Sequence, residues 1–472
     1  MTRAIVVGSG PNGLAAALTL AVAGVEVTVL ESAATPGGGT RSVEATVPGV
    51  LHDECSGFHP LAVDTAFSRS VDLASAGLQW AWSDVQYSHP LDGGRGSSVL
   101  RSVDDTAAAL GTDAGRYRRV FGPLDRRFDK ITADFLQPML HVPKHTIALA
   151  GFGSLAAMPA TMVGRNFRTE EAQALWAGVA AHAFRPLGSP FSSAIGVALG
   201  TAAHHYGWPV AVGGSRAITD ALITLLTKHG GRVLTGEHVT SLDVARREHD
   251  AHLALLDTSP RAAAGIIGDR LPGRVRRAYE RYKYGTGAFQ VAFAVHEGIP
   301  WTHEPTRRAG TVHLGGSLAE IAAAEKDTWR GRMPERPFVL LGQQSLADPG
   351  RARDGIHPID AYAHVPAGFQ GDATQAIIDQ IERYAPGFRE RIVGTAVRTS
   401  TEISQQNANY VGGDICTGAN TPRQLVFRPR AALNPYATGV PGVYLCSAAT
   451  PPGAGAHGMC GYLAAQSALE SL

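Results

Sequence analysis

Cysteine is scarce in this chain of 472 residues: Cys55, Cys416, Cys446 and Cys460 stand far apart and form no CxxC pair. That excludes a disulfide framework and a zinc knot, and fits a reducing, cytoplasmic setting. Excess charge is missing too, the formal balance being +1, so no field favours nucleic acid. Basic residues cluster at Arg116, Arg118, Arg119, Arg126 and Arg127, and again between Arg261 and Lys283. Such clusters read as solvated helix faces. The chain has no HExxH and no Ser/His/Asp order, so neither a metal site nor a hydrolytic triad is expected. Long apolar runs are absent: the charge-free stretches 146–164 and 186–203 contain Pro, Gly and Ser. They read as buried helices or pocket walls, not as membrane spans. No leader is expected ahead of the first strand, because Arg3 runs straight into Ala4-Ile5-Val6-Val7.

What is present is an ordinary globular composition, 44% hydrophobic and 18% charged, with 55 glycines and 28 prolines for turns and close backbone approaches. The length asks for two joined domains. Residues 4–7 are a short apolar run, followed by a Gly-rich turn, a helix over Leu14–Ala23 and a second strand over Val25–Leu30. This is the start of a parallel crossover sheet. A similar unit returns with a helix over Ile218–Lys228 and strands at Arg232–Leu234, His238–Leu242 and Ala254–Asp257. The chain closes with a strand over Gly442–Cys446, a Gly-rich loop and a helix from Met459 to Leu469. Residues 103–205 have a helical pattern, with Tyr117, Val120, Phe121, Leu124, Phe128 and Ile131 on one face. Residues 284–430 mix strands at Phe289–His296, Pro337–Leu341 and Ala361–Val365 with a helix over Gln375–Tyr384. The fold class expected is therefore α/β. A Rossmann-like dinucleotide domain is assembled from residues 1–80, 208–270 and 430–472, and an α+β substrate domain from 81–207 and 271–429 is interleaved with it.

The glycine motif is Gly8-Ser9-Gly10-Pro11-Asn12-Gly13, with Glu31 ending the second strand. Gly8 permits the tight turn, Gly10 lets backbone approach a pyrophosphate, and Gly13 lets helix pack on strand. The helix offers free N–H groups and its positive end to phosphate, and Glu31 is placed to accept from ribose hydroxyls. A second cluster, Pro36-Gly37-Gly38-Gly39-Thr40-Arg41, follows the acid closely. An NAD-only fold has no use for it, whereas a chain running back beneath a flavin dinucleotide does, so FAD is the cofactor expected. A further GxGxxG, Gly453-Ala454-Gly455-Ala456-His457-Gly458, has too little chain behind it for a second complete site. It reads as a loop facing the flavin ring, where a helix N-terminus stabilises charge on the reduced cofactor.

With GSGPNGLAAA at 8–17, PGGGTRS at 36–42, VGGSRAITDAL at 212–222, GGRVLTGEHVTSL at 230–242 and PGVYLCSAATPPGAGAHGMCGYLAA at 441–465 in this order, the chain resembles the phytoene desaturase-related flavoproteins. These lie within the glutathione reductase/amine oxidase superfamily. The resemblance implies that Gly8, Ser9, Gly10, Pro11, Asn12 and Gly13 hold the pyrophosphate, with Glu31 on the adenosine ribose. It implies that Gly38, Gly39, Thr40 and Arg41 reach pyrophosphate or flavin, and that Val239 touches the adenine end. Ala449, Gly453, Ala454, Gly455, His457, Gly458 and Met459 are then expected around the flavin. The loop His52–Gly57 and the run Thr450-Pro451-Pro452-Gly453 depart from the carotenoid desaturases proper, whose counterparts are Asp-x-Gly-Pro and Thr-His-Pro-Gly.

The activity implied is hydride transfer between a lipophilic or unsaturated organic substrate and flavin N5, of desaturase, saturase or isomerase type. Alternatives are an amine oxidase-like flavoenzyme and a non-catalytic, FAD-stabilised binding protein. The electron acceptor or donor is left open among oxygen, a quinone and NAD(P)H. A peripheral membrane contact is compatible with a small lipophilic substrate. An apolar wall is expected from Phe121, Phe135, Phe152, Met158, Met162, Trp176 and Phe184, each of which also reads as ordinary core. His457 and His59 are the catalytic candidates; for His457 the alternative is a loop-capping histidine. His204, His205, Asn409, Tyr410 and Asp414 are weaker pocket candidates. Cys416 lies roughly where some amine oxidases attach flavin covalently, but its surroundings differ, and non-covalent FAD is expected.

Overall fold

The computed structural model describes residues 2–472. Its parallel sheet has five strands, numbered here in chain order: β1 Arg3–Val7, β2 Glu26–Glu31, β3 Arg232–Thr235, β4 Leu253–Leu256 and β5 Val443–Leu445. They lie in the order β5-β4-β1-β2-β3, all parallel. Alternate residues of one strand serve opposite faces. Ala4 and Val6 join one core with the helices Pro11–Val22, Arg216–Lys228 and Met459–Leu469. Ile5 and Val7 join another with Leu242, Ala263 and Tyr279, from three helices on the far side. Burial on both faces is why these strands read as unbroken apolar runs. Gly461 allows the last helix to lie against the carbonyl of Asn12, where any Cβ would collide.

A seven-stranded mixed sheet takes its strands from other parts of the chain. Its order is Ile392–Arg398, Gly287–His296, Ile356–Val365, Val339–Gly342, Ala309–Leu314, Val85–Pro90 and Gly96–Leu100. Ala309–Leu314 runs parallel to Val85–Pro90, and the other pairings are antiparallel. One face is apolar: Phe289, Val291, Phe293, Val312, Leu341 and Ile359 pack beneath the helix Thr374–Tyr384. The register puts Gln290, Tyr362, Leu340 and His313 side by side on the opposite face. That second face lies under the helices Ala114–Asp125, Glu170–Ala181 and Ser193–His205, where the expected stripe of Tyr117, Val120, Phe121, Leu124, Phe128 and Ile131 is buried.

One expectation fails locally. Residues 238–242 form no strand; the chain loops there and enters a helix at Leu242–Glu248, whose Leu242 and Ala245 are buried at helical spacing. The hairpin Val85–Pro90 with Gly96–Leu100 was not foreseen, because its buried Gln86, Ser88 and His89 break the apolar alternation. The charge-free stretches form the short helices Thr146–Ala156, Ala160–Gly164 and Ser193–His205. Among the described residues no helix is long and apolar enough to cross a membrane.

Candidate active site

One continuous cavity of about 800 Å³ runs from the C-terminal ends of the parallel strands to the helix-covered second face of the mixed sheet. Its first end is built from β1. Gly8 leaves the strand at φ +101°, and a Cβ there would stand 2.8 Å from the Asp257 carbonyl oxygen. A Cβ at Gly13 would run into the carbonyl oxygen of Gly8, so only glycine lets the helix Pro11–Val22 close onto the loop. Gly10 caps that helix without a side chain, leaving the approach to its first N–H groups open. The second glycine cluster folds against the first: Gly37 N–H donates to Ser9 O at 3.1 Å, and a Cβ on Gly38 would lie 3.0 Å from Gly10 Cα. Thr40 is anchored by its hydroxyl 2.9 Å from that of Thr219.

Glu31 ends β2 and lines the cavity. One carboxylate oxygen accepts from Ser9 N–H at 2.9 Å and the Ser9 hydroxyl at 2.5 Å; the other accepts from Ala33 N–H at 2.8 Å. Arg41 approaches it at 3.8 Å. Asp257, one residue past β4, accepts the Gly13 N–H at 2.9 Å. Burial, reinforced by the nearby charge of Glu31, pushes its carboxyl up to about 7. Beside it Asn12 Oδ1 and Thr258 Oγ1 are buried without a hydrogen-bond partner in the protein. A glycine cradle with orphaned polar atoms fits a dinucleotide, whose phosphates and sugar would satisfy them.

The raised carboxyl has a pH consequence of definite sign. Above its ordinary 3.8 and below about 7 the folded chain holds a proton that the unfolded chain has released. The stability tied to Asp257 is therefore complete below pH 3.8 and is lost as pH rises through about 7. Asp257→Asn is expected to flatten melting temperature against pH over that window. At alkaline pH the variant should exceed the cofactor-free wild type by at most about 4 kcal/mol. Parallel thermal melts of both proteins across pH check this; curves of equal slope would refute it.

Of the cofactor residues expected from sequence, Gly8, Ser9, Gly10, Pro11, Asn12, Glu31, Gly38, Gly39, Thr40, Arg41, Val239, Ala449, Gly453, Ala454, Gly455 and His457 all line this cavity. Gly13, Gly458 and Met459 do not. Gly13 and Gly458 are packing positions; a Cβ on Gly458 would stand 2.6 Å from Phe67. Met459 is buried in the core of the parallel sheet. Its amide instead donates to His457 Nδ1 at 3.1 Å, so the His457 ring caps the last helix while facing the cavity. Burial pulls His457 down to about 4, which keeps it neutral.

The expectation for His59 needs correcting. Phe58 and Pro60 line the cavity, but His59 is turned away, its Nε2 2.9 Å from Ser215 Oγ and its ring beside Trp80. Desolvation, then the charge of Arg351, holds it down to about 3. It is a strut between two loops. His204 pairs with the Tyr117 hydroxyl at 2.7 Å, and His205 with Asp125 and Asp129, all away from the cavity. Asp414 binds the backbone N–H groups of Gly285 and Cys416. Asn409, Tyr410 and Cys416 do line the cavity. Of the apolar wall expected, Phe135 and Phe184 reach it, while Phe121, Phe152 and Trp176 are core and Met162 is exposed.

The wall at the far end is drawn from residues that no motif marks: Phe58, Leu199, Trp208, Leu340, Tyr362, Thr311 and His182. Phe184 stacks on Tyr362 with ring centroids 6.1 Å apart. Alternation on the strands was the one available signal, since Thr311, His313, Leu340 and Tyr362 share a sheet face. Among the described residues no group of three or more His, Cys, Asp or Glu is arranged to hold a metal.

Residues 6–68 match the family described as NAD(P)-binding Rossmann-like domain. The chain is 23% identical to the pyridine nucleotide-disulfide oxidoreductase domain-containing protein 2 of Rattus norvegicus, over 99% of this chain and 93% of that one. It is likewise 23% identical to a phytoene desaturase (neurosporene-forming) of Rhodobacter capsulatus, over 98% of this chain and 92% of the other. A solved structure of a putrescine oxidase double mutant superposes with a TM-score of 0.60 at 15% identity, covering 100% of this chain and 99% of that one. The resemblance to phytoene dehydrogenase-related oxidoreductases thus extends over nearly the whole chain, on an α/β fold with a Rossmann-like domain.

Proposed function

We propose that this chain, an oxidoreductase related to the phytoene desaturases and dehydrogenases, binds FAD non-covalently and acts on a lipophilic or unsaturated organic substrate. The observation that carries this reading is the single cavity joining the Gly8–Gly13 cradle to the apolar wall of Phe184, Trp208, Leu340 and Tyr362. When bound, FAD would supply N5 as the hydride acceptor or donor. The chain's own residues bind and orient. The glycine loop and helix N-terminus take the pyrophosphate, Glu31 the ribose, and the loop Gly453–His457 is held in place by the His457 cap. His457 serves as a positioning residue, because its acceptor nitrogen is occupied and burial keeps the ring neutral.

The electrostatics of the wall favour a neutral substrate over an ammonium ion. The carboxylates lining the cavity are Glu31, Glu237 and Asp257, all at the dinucleotide end, while Arg428 is among the lining residues near Gly453. A substrate amine cation placed against the far wall would lose its hydration without a counter-charge.

Purified protein is expected to carry flavin absorbance that leaves the polypeptide entirely on acid precipitation and chromatographs as FAD. The flavin should bleach anaerobically with an unsaturated lipophilic donor and stay unchanged with simple amines. Protein that holds no flavin, and gains none on incubation with FAD, would sink the proposal.

A further inference from the structure

Behind the apolar wall lies a histidine pair that the proposed chemistry does not use. His182, the residue after the helix Glu170–Ala181, lines the cavity, and its Nε2 lies 2.8 Å from Nε2 of His313. A contact of that length between two imidazole nitrogens holds one proton. Which ring owns it follows from His313 Nδ1, which is fully buried and has no hydrogen-bond partner. Were His313 the acceptor, its own proton would sit on Nδ1 as an orphaned buried N–H, the costlier kind of unmet group. His313 therefore donates from Nε2. His182, accepting at Nε2, must carry its proton on Nδ1. Burial holds both rings below their ordinary range, His182 at about 3, so neither takes a second proton near neutrality.

Among the described residues His182 Nδ1 has no hydrogen-bond partner within the protein, and it is absent from the fully buried orphans, so this N–H opens on the cavity. Two residues before His313 on the same strand face stands Thr311, a lining residue only 1% exposed, whose unpartnered hydroxyl is sealed from the cavity. An apolar wall gains nothing from an unmet polar hydrogen such as the His182 N–H; a ligand oxygen would satisfy it. We infer that the substrate carries a carbonyl-type oxygen on its apolar body, received by the His182 Nδ1–H. The inference rests on reading this end of the cavity as the substrate chamber. It sets this substrate apart from a plain polyene hydrocarbon, which would leave that donor unsatisfied.

The test uses the protein as purified, with histidine nitrogen labelled, and assigns the His182 signal by its loss in His182→Phe. The imidazole spectrum is expected to show His182 protonated at Nδ1 and His313 at Nε2. Calorimetry then compares benzylideneacetone with 1-phenyl-1-butene, the same skeleton with the carbonyl replaced by methylene. The ketone should bind about tenfold tighter. That preference should vanish in His182→Phe and persist in Thr311→Val, which keeps the side chain's shape and removes only the sealed hydroxyl. His182 protonated at Nε2, a ketone that binds no better than the hydrocarbon, or a preference unmoved in His182→Phe would overturn the inference. Neither readout needs flavin turnover. Flavin-free protein that still prefers the ketone refutes hydride transfer alone, and flavin-bearing protein indifferent to the oxygen refutes this inference alone.

Discussion

Gly10→Val is expected to give a folded protein that no longer retains its cofactor, with affinity reduced at least about a hundredfold, or roughly 3 kcal/mol. Gly10 sits at φ −64° and ψ 169°, a conformation open to any residue, so the backbone accepts the change. What changes is the space above the loop. The new Cβ arises 2.7 Å from Asp257 Oδ2, which must swing aside. The two γ-methyl groups then fill the approach to the helix N-terminus that a pyrophosphate needs. Gly13→Val is the informative contrast. Its Cβ meets a backbone carbonyl, that of Gly8, which cannot turn away as a side chain can. That variant should fail to fold, because helix and loop cannot close. Circular dichroism and cofactor content read together separate the two outcomes. Full flavin content in a folded Gly10→Val protein would show that the pyrophosphate is not held here.

The same contrast explains why this end of the molecule was legible from sequence and the other was not. Gly8, Gly10, Gly13, Glu31 and the closing loop at 453–458 act on neighbours close in the chain, or on a fold whose order is fixed by a parallel crossover. Their spacing alone therefore carries the geometry. His182 and Asp257 act on partners more than a hundred residues away: His313 for His182, Gly13 for Asp257. No local period records such a meeting. His59 shows the opposite error. Its place beside the cavity-lining loop suggested a pocket role, yet the side chain is claimed by Ser215, 156 residues distant. The hairpin Val85–Pro90 was invisible for a related reason. All six of its residues are buried, with Tyr87 beside Thr311 on one face and Ser88 beside Val312 on the other, so apolar alternation never appears.

Arg351→Met is expected to cost about 3–5 kcal/mol of stability. Arg351 is wholly buried. Its guanidinium donates to Asp53 at 2.5 Å, to Asp348 at 3.1 Å and to the carbonyl of Ala211 at 2.7 Å. Each partner holds a different stretch of chain. Asp53 also accepts from Ser42 Oγ at 2.6 Å and Ser215 N–H at 2.8 Å, while Asp348 accepts from Gly213 N–H at 2.8 Å. The cation thus ties the loop leading to cavity-lining Cys55–Phe58 to the turn before the helix Arg216–Lys228 and to the mixed sheet. Methionine fills similar volume but leaves two carboxylates buried without a counter-charge, and it is this residue of charge that destabilises, more than the lost bonds. A second substitution isolates the cause. Asp53→Asn removes one orphaned charge and retains a group able to accept from Ser215, so the double variant should recover part of the loss. Chemical denaturation of the single and double variants measures both terms. A single variant as stable as wild type, or a double variant worse than the single one, would mean that the ion cluster is not what joins these segments.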